Sequence, residues 1–466
     1  DHRDLHSFPT RRSSDLLGEF MTLQNGTVSW GEALRVYSRP QVITMLFLGF
    51  AAGLPLLMVF STLSAWLSDL DISRSTIGFF GWVGITYSIK VLWAPVVDRL
   101  KLPVLTNLLG QRRSWMLVGQ FGVMVGLVAM VLADPQVSLT SIAVCAVLVA
   151  FSSSTQDIAI DAFRIESAAD EYQGAMSASY IFGYRLALLV AGAGALYIAD
   201  GAGWDMAYIT VAILMLVGVV TVLLVSEPER QIPLSTIEME SGLKHRLHAD
   251  EPGLWHRLEA WFVGAVMAPF LEFFKRNSSW ALLILAFIAL YRLSDITMGI
   301  MANPFYLDLG FSKTEIAKIG KLFGFFMTLA GSFLGGLMVV RYGIFRPLLA
   351  GAVMVALTTL LFAQLANVGA DLGWLTLVIS ADNLSGGFSN TAFIAYLSSM
   401  TSRAYTATQY ALFSSLMTLP GKFFSGFSGV IVDASSYQVF FVYAALMGLP
   451  AIFLSWLLWR HASRAT

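Results

Sequence analysis

The chain has 466 residues, of which 56% are hydrophobic and 13% are charged, and its formal net charge is −1. Soluble globular proteins carry about a quarter charged residues, so this composition excludes a soluble class and indicates an integral membrane protein. The single cysteine, Cys145, excludes an internal disulfide bond. Neither a GxxxxGK[ST] nucleotide-binding loop nor Cys/His metal spacing occurs, which argues against an ATP-driven pump and a metal site. We also expect no cofactor, no enzyme activity and no nucleic-acid partner.

The N-terminal residues 1–20 differ in character from everything that follows. The string HSFPTRRSSDL, which begins at His6, resembles the translation of a sequencing-adapter oligonucleotide. We therefore expect a non-native leader over residues 1–20, with Met21 as the natural start.

Twelve apolar runs follow, covering approximately 41–67, 76–96, 114–133, 140–162, 174–199, 204–225, 280–304, 315–340, 347–366, 373–400, 407–432 and 437–459. Each is long enough for a spanning helix, which needs ~20 mostly apolar residues. They predict an all-α membrane protein with an N-terminal six-helix half (21–225), a linker (226–279) and a C-terminal six-helix half (280–466). The end of the linker, LWHRLEAWFVGAVMAPFLEFFKRN, is amphipathic and aromatic, which predicts a helix lying in the membrane interface.

Basic residues predict the orientation of the spans. Eighteen Lys and Arg residues lie in the N-terminal stretch, the even-numbered connections and the tail, whereas the odd-numbered connections hold only Arg74 and Lys313. Because cytoplasmic loops are rich in Lys and Arg, both termini and the linker are expected in the cytoplasm.

Two short strings recur at nearly one spacing. ISRSTIGFF, from Ile72, matches FSKTEIAKI, from Phe311, at an offset of 239 residues. QGAMSASY, from Gln173, echoes QYALFSSL, from Gln409, at an offset of 236 residues. The offsets predict a duplicated six-helix unit in parallel orientation, an architecture similar to that of the major facilitator superfamily. We expect such a protein to act as a monomer.

The connection after span 2, DRLKLPVLTNLLGQRRS, contains Asp98, Arg112 and Arg113. It resembles the superfamily's signature between helices 2 and 3, although its spacing is longer. These residues are candidates for a cytoplasmic gate; the alternative is that the arginines merely anchor the chain at the membrane surface. The corresponding second-half segment, GGLMVVRYGIFR (335–346), keeps the glycines and two arginines but contains no aspartate.

Span 4 carries the string SSSTQDIAIDAFRIE. Asp157, Asp161 and Arg164 follow i, i+4, i+7 spacing, which places them on one helix face. We expect Asp161 and Arg164 near the membrane interface, either as gate residues or in a satisfied inter-helix salt bridge. Gln156 and Asp157 lie deeper and are expected to face a cavity.

Further charges lie at membrane depth. Arg185 falls ~18 Å from the cytoplasmic end of span 5, near the midplane, where a guanidinium costs at least ~3 kcal/mol unless it faces a polar interior. Arg292 and Asp295 share that depth in span 7. We expect them either to bind cargo or to neutralise each other. The candidate binding residues are Arg185, Gln156, Arg292, Lys90, Asp382, Asn383, Tyr184, Lys422 and Lys321.

The charge balance within the spans favours an anionic cargo. Bases outnumber the four acids Asp157, Asp161, Asp295 and Asp382, so the cargo is expected to carry carboxylates or phosphates. Acids in apolar surroundings can carry protons, which makes Asp157 and Asp295 candidates for coupling transport to the proton gradient. Aromatic side chains such as Tyr184 could stack on sugar faces or simply pack between helices.

Several longer strings resemble the AmpG muropeptide permease family, from about residue 36 to the end of span 12. They are GFAAGLPLLMVFSTLSAWL, STIGFFGWVG, APVVDRL, FSSSTQDIAIDAFR, GYRLALLVAG, LYRLSD and TATQYALFSSL. The resemblance implies proton-driven import of anhydromuropeptides (GlcNAc–anhydroMurNAc peptides) across a Gram-negative inner membrane, and a part in β-lactamase induction. The family's STQD, GYR and LYRLSD segments fall on Gln156, Asp157, Arg185, Arg292 and Asp295.

Other functions remain open at this stage. A carrier of acetyl-CoA or another organic anion would need the same surplus of buried positive charge. A non-transporting membrane sensor of cell-wall fragments would be expected to have a larger output domain than the linker provides. A membrane-embedded hydrolase would need a nucleophile or metal constellation at membrane depth, and no histidine lies within a predicted span.

Overall fold

The computed structural model describes residues 29–72, 80–229, 238, 241, 261–312, 315–425 and 427–464. The expected leader, most of the ISRSTIGFF string and most of the linker therefore lie outside the described residues. All regular structure in the described part is helical, as the apolar runs predict.

The described helices follow the order of the predicted spans, numbered as above. A short helix, Trp30–Arg35, precedes span 1. The spans comprise Pro40–Met58 and Ser61–Asp69 (span 1); Gly84–Ser88 and Ala94–Arg99 (2); Gln111–Leu132 (3); Leu139–Ser167 (4); Gln173–Leu189 and Ala195–Ala202 (5); Trp204–Leu214 and Leu216–Leu224 (6); Ala281–Leu290 and Leu293–Asp308 (7); Gly324–Tyr342 (8); Phe345–Val368 (9); Leu372–Met400 (10); Thr406–Leu416, Leu419–Ser425 and Ser428–Ala434 (11); and Tyr437–Leu446 and Leu449–Arg464 (12). The linker contributes the helix Ala268–Asn277, which follows a π-helical turn over Val263–Met267.

Nine helical segments in the described part are long and apolar enough to cross a membrane, and each corresponds to one predicted span. Predicted spans 2, 10 and 11 are not among them. Spans 2 and 11 are divided into short helices; each contains a proline, Pro95 or Pro420, and a lysine, Lys90 or Lys422. Proline removes a backbone donor and breaks the regular ladder. Span 10 is one continuous helix, but Asp382, Asn383 and its many serines make it polar.

Span 4 is longer than predicted. Its helix continues to Ser167, whereas the apolar run ends near residue 162. The extension buries Arg164, which is 1% exposed, and Glu166, which is 7% exposed. Arg164 therefore lies near the end of span 4, as expected, but its charge is covered by the second half of the molecule.

Four large apolar clusters form most of the core, beside a small fifth one made of Ala268, Ala404 and Tyr405. The four large clusters differ in which halves they join. Two of them, around Trp66 and around Phe362, draw their described members from a single half each. The other two mix the halves: Leu337 and Ala407 pack among first-half residues, and Ile165 packs among second-half residues. The mixed clusters lie at the end that carries the even-numbered connections, which we call the basic end. The two halves therefore close on each other at the basic end.

Candidate functional site

Arg112 is the centre of a buried ionic network at the basic end. Its side chain is 1% exposed, and its Nη2 lies 2.8 Å from Asp98 Oδ1 and 2.6 Å from Glu166 Oε1. Its Nε also donates to Glu166 Oε2 at 3.0 Å. Removing one member of a buried ion pair leaves an uncompensated charge, so these three groups depend on one another.

The same network crosses between the halves at the N-terminus of span 11. Thr408 donates to Asp98 Oδ2 from its backbone N–H at 3.2 Å and from its hydroxyl at 3.0 Å. Thr406 accepts from Arg112 Nη2 at 2.9 Å and donates to Glu166. Unpaired N–H groups at a helix N-terminus favour a negative charge, so Asp98 is well placed to hold span 11 against span 2.

Arg164 makes a second polar link between the halves. Its Nη1 donates to Gln173 Oε1 at 2.9 Å and to Ser398 Oγ, on span 10, at 2.8 Å. Its Nη2 lies 3.5 Å from Asp161 Oδ1. Asp161 also lies 3.9 Å from Lys90 Nζ. Asp161 therefore pairs with Arg164 within span 4 and with Lys90 of span 2.

Arg113 is oriented differently from its neighbour. It donates to the carbonyls of Val222 and Leu223 at the end of span 6, within the first half. Beside it, Glu227 accepts the backbone N–H groups of Arg112 at 2.7 Å and Arg113 at 3.1 Å, and burial raises the pKa of this carboxyl. Arg113 thus anchors span 3 to span 6 and has no hydrogen bond to the second half among the described residues.

The linker helix rests on the closed basic end. Gln409 donates from Nε2 to Pro269 O and to Glu272 Oε2, both at 2.8 Å, and its Oε1 accepts the backbone N–H of Ser402 at 2.7 Å. From the first half, Arg99 donates to Gly264 O at 2.9 Å. The linker is therefore hydrogen-bonded to both halves in this conformation.

At mid-depth, Arg185 of span 5 faces charges from span 7. Arg292 and Asp295 form an ion pair at 2.7 Å, with side chains 28% and 31% exposed. Arg185 is half-buried and within electrostatic range of both residues. Among the described residues it has no carboxylate at ion-pair distance. One guanidinium from each half therefore lies within electrostatic range of the other, and the Asp295 carboxylate pairs with the one from the second half.

A break in span 7 positions this pair. The helix interrupts at Tyr291 and Arg292 and restarts at Leu293, with Asp295 in the first turn of the new helix. An acid is favourable there because it faces the unpaired N–H groups of a helix N-terminus. Asp382 of span 10 is half-buried, lies within electrostatic range of Asp295, and has no side-chain partner among the described residues.

The two deep residues of span 4 differ in their surroundings. Gln156 is fully buried against Gly119 of span 3, and neither of its amide atoms has a hydrogen-bond partner in the described part. Asp157 is half-buried, and its Oδ1 is likewise unpartnered. It lies within electrostatic range of Lys90, Asp161 and Tyr184. Asp157 is therefore a carboxylate beside a base but without a direct ion pair among the described residues.

The remaining candidates are dispersed. Asn383 uses both ends of its amide inside the second half: its Nδ2 donates to Ile379 O and its Oδ1 accepts from Thr328, each at 2.9 Å. Lys422 Nζ donates to Ser88 Oγ at 2.7 Å and so joins span 11 to span 2. Tyr184 pairs with Tyr180, with ring centroids 6.1 Å apart. The side chain of Lys321 lies outside the described residues.

Several residues of the closed basic end were missed by the sequence patterns. Glu166 follows Arg164 by two positions, at what looked like the end of span 4. The feature that could have identified it is its position, because it follows Asp161 and Arg164 closely enough to belong to the same helix. Thr406, Thr408 and Gln409 lie in the TATQYALFSSL string, but hydroxyl and amide side chains carry no pattern that marks a contact with the other half or with the linker.

Together these contacts describe a two-part interior. One part is the buried network of Asp98, Arg112, Glu166, Thr406 and Thr408 at the basic end, which joins both halves and which we call the ionic lock. The other is a group of partly exposed charges at mid-depth, contributed by spans 2, 4, 5, 7 and 10. Such an arrangement can hold a charged ligand between the halves while access from the basic end is blocked.

Comparison with known proteins agrees with this architecture. The Major Facilitator Superfamily model matches residues 45–425. The chain is also similar in fold to the E. coli fucose:proton symporter FucP, with a TM-score of 0.62 and 13% sequence identity, covering 89% of this chain and 97% of FucP. The proton:xylose symporter XylE gives a TM-score of 0.61 at 13% identity, covering 89% of this chain and 94% of XylE.

Curated relatives narrow the assignment. The chain is 33% identical over 422 residues to "Putative transporter AmpG 4" of Rickettsia conorii, covering 90% of this chain and 97% of the relative. It is 32% identical over 424 residues to the "Anhydromuropeptide permease" of Escherichia coli K12, covering 90% and 80%. The chain belongs to the Major Facilitator Superfamily and, within it, to the family of AmpG transporters.

Proposed function

We propose that this chain imports anhydromuropeptides from the periplasm to the cytoplasm, driven by the proton gradient, as a monomer in a bacterial inner membrane. Its basic end would face the cytoplasm, with both termini on that side. The observation that carries the proposal is the position of Arg185, opposite the Arg292–Asp295 pair and without a carboxylate partner among the described residues. A relative named as an anhydromuropeptide permease supplies the cargo class.

The cargo chemistry suits the mid-depth charges. A muropeptide is a sugar that carries several carboxylates on a short peptide. Arg185 and Arg292 come from opposite halves, and a guanidinium can bind a carboxylate with two parallel hydrogen bonds. A carboxylate bound between them would join the halves and offset the cost of two guanidinium groups at membrane depth. Import of such fragments would also deliver the signal for β-lactamase induction.

Asp157 is our candidate for proton coupling. It lies within electrostatic range of Lys90, which also faces Asp161 at 3.9 Å. A proton on Asp157 would leave Lys90 to Asp161 alone, whereas a charged Asp157 would compete for the same base. The protonation of one carboxylate could thereby change how span 2 is held against span 4. Asp295 is the second candidate, since a proton on its carboxylate would weaken its ion pair with Arg292.

The test is uptake into right-side-out membrane vesicles from cells that express the chain. Labelled GlcNAc–anhydroMurNAc-tripeptide should accumulate when the outside is acidic, and a protonophore should abolish the accumulation. Unlabelled muropeptide should compete, whereas acetyl-CoA should not. Uptake of labelled acetyl-CoA without muropeptide uptake would favour an organic-anion carrier. Muropeptide binding with no uptake of any cargo would favour a membrane sensor.

A further inference from the structure

The residues before span 1 reach across to the second half. Arg341 lies over the Trp30 ring with its Cζ 4.6 Å from the ring centroid, and Tyr342 meets the same ring edge-on at 6.3 Å. The Tyr37 hydroxyl donates to Phe333 O at 3.1 Å, and the Tyr37 and Phe333 rings lie 4.8 Å apart. We call residues 29–38 the N-terminal clasp.

Local sequence fixes the shape of the clasp. Ser29 and Glu32 form a reciprocal capping box, in which each side chain accepts the other residue's backbone N–H. This motif satisfies two donors at a helix start and defines where the helix begins. The short helix then turns through Val36–Ser38 into Pro40, the first residue of span 1. Trp30 is thus held by a capped helix and Tyr37 by the turn that follows it, and this turn leads directly into span 1.

The clasp meets the second half over residues 333–346. Most of this stretch is the segment 335–346, which corresponds to the Asp98–Arg113 connection of the first half. The first-half connection carries an aspartate that bonds to span 11, whereas the second-half segment carries none. Beside it, a Cβ on Gly336 would lie 2.4 Å from the Tyr37 hydroxyl and 2.9 Å from Gly174 O. Tyr37 therefore packs directly into the crossing of spans 5 and 8.

We propose that the N-terminal clasp is the second half's counterpart of the ionic lock, so that the basic end is closed on one side by charges and on the other by aromatic contacts. Trp30 and Tyr37 are then positioning residues for alternating access. Opening the basic end separates span 5 from span 8, so the clasp must release Arg341 and Phe333 in each transport cycle. Stabilising the clasp favours the closed basic end, and removing it favours the open one.

The clasp is tested by the distance between spin labels at Leu108 and Arg346, two exposed basic-end positions on opposite halves, measured in lipid nanodiscs. The labels are placed in a chain carrying Cys145→Ser and Asp98→Asn, because weakening the ionic lock raises the open population. Trp30→Leu keeps apolar bulk but removes the cation–π contact, and it should raise the open-to-closed ratio about two- to fivefold. Tyr37→Phe removes one hydrogen bond and should raise it about two- to tenfold.

Matched controls separate the clasp from general membrane anchoring. Trp456→Leu removes a similar contact with Arg460, 5.3 Å away, that stays within span 12. Tyr197→Phe alters a tyrosine that is 83% exposed. Both controls should leave the distances of the parent chain unchanged. Equal distance distributions for the clasp variants and their controls would overturn the proposal. Because no cargo is present, this outcome is independent of whether the chain carries muropeptides.

Discussion

Asp98 accepts two hydrogen bonds from Thr408, one from the backbone N–H and one from the hydroxyl, across the boundary between the two halves. The same carboxylate pairs with Arg112 on its other oxygen. One side chain therefore connects a buried ion pair in the first half to the N-terminus of span 11 in the second. Separation of the halves at the basic end would break the Thr408 bonds, whereas the pair with Arg112 would persist.

Asp98→Asn should weaken closure of the basic end. The amide keeps the shape of the carboxylate but loses the charge-assisted bonds to Thr408 and Arg112, which are about twice as strong as neutral ones. The open-to-closed ratio, read from labels at Leu108 and Arg346, should rise about tenfold. Asp69→Asn is the control, because Asp69 accepts from Trp204 within the first half. An equal shift in both variants would refute the specific role of Asp98.

Arg112 and Arg113 are adjacent but should differ in their effect on stability. Arg112→Met leaves Asp98 and Glu166 buried without a countercharge and should lower the free energy of unfolding by about 3–5 kcal/mol. Arg113→Met removes bonds to two carbonyls and should cost about 1 kcal/mol. Denaturation in detergent measures both. Adding Asp98→Asn and Glu166→Gln to Arg112→Met should recover most of the loss; no recovery would mean that charge burial is not the cause.

Gly336→Ala should hinder closure by crowding spans 5 and 8. The added Cβ would lie 2.9 Å from Gly174 O and 3.1 Å from Ala178 Cβ, and overpacking of this kind costs about 1–3 kcal/mol. Hydrogen–deuterium exchange over residues 174–182 should therefore become faster. Gly201→Ala serves as the control, since no atom lies within 4 Å of its Cβ position. Unchanged exchange in Gly336→Ala would contradict the prediction, because it would mean that spans 5 and 8 accommodate the added methyl group while closed.

Asp157→Asn should uncouple or stop transport, because its carboxylate is proposed to carry the proton. Uptake would then no longer respond to an imposed pH gradient, while muropeptide binding should persist. Asn383→Ala is a useful comparison: Asn383 bonds only within the second half among the described residues, so it should affect stability more than coupling. A protonophore response in Asp157→Asn equal to that of the unaltered chain would remove Asp157 from the coupling mechanism.

The fold could be predicted from the sequence because membrane spans are long and apolar, so that hydropathy and length alone identify them. It was less informative for spans 2 and 11, where Pro95 and Pro420 divide the helices and the hydropathy signal weakens. Among the gate residues, Asp98 and Arg112 were recognisable from a charged connection. Arg113 has the same charge and the same loop, yet it bonds to span 6, because the direction of a side chain at a helix start is set by packing.

Inter-half contacts were the least predictable part. Thr408 and Ser398 are uncharged residues that bond to charged partners in the first half, and Gln409 is an uncharged residue that bonds to the linker. Such residues occur throughout membrane helices without any special role. Glu166 carried a charge but followed the apparent end of span 4, so helix length decided its burial. Arg185, by contrast, was recognisable at once, because a lone guanidinium at membrane depth is costly and needs a polar surrounding.

The most direct test is muropeptide uptake by Arg185→Ala in right-side-out vesicles. It is compared with Arg185→Lys and with Arg113→Ala, a control arginine whose hydrogen bonds among the described residues stay within the first half. If Arg185 binds a cargo carboxylate, Arg185→Ala should lose about 30-fold or more of the uptake rate, since losing one partner of a buried charge pair costs about 2–5 kcal/mol. Arg185→Lys should retain part of the rate, and Arg113→Ala should retain most of it. Full uptake by a correctly folded Arg185→Ala chain would contradict the anion-binding role on which the proposed function rests.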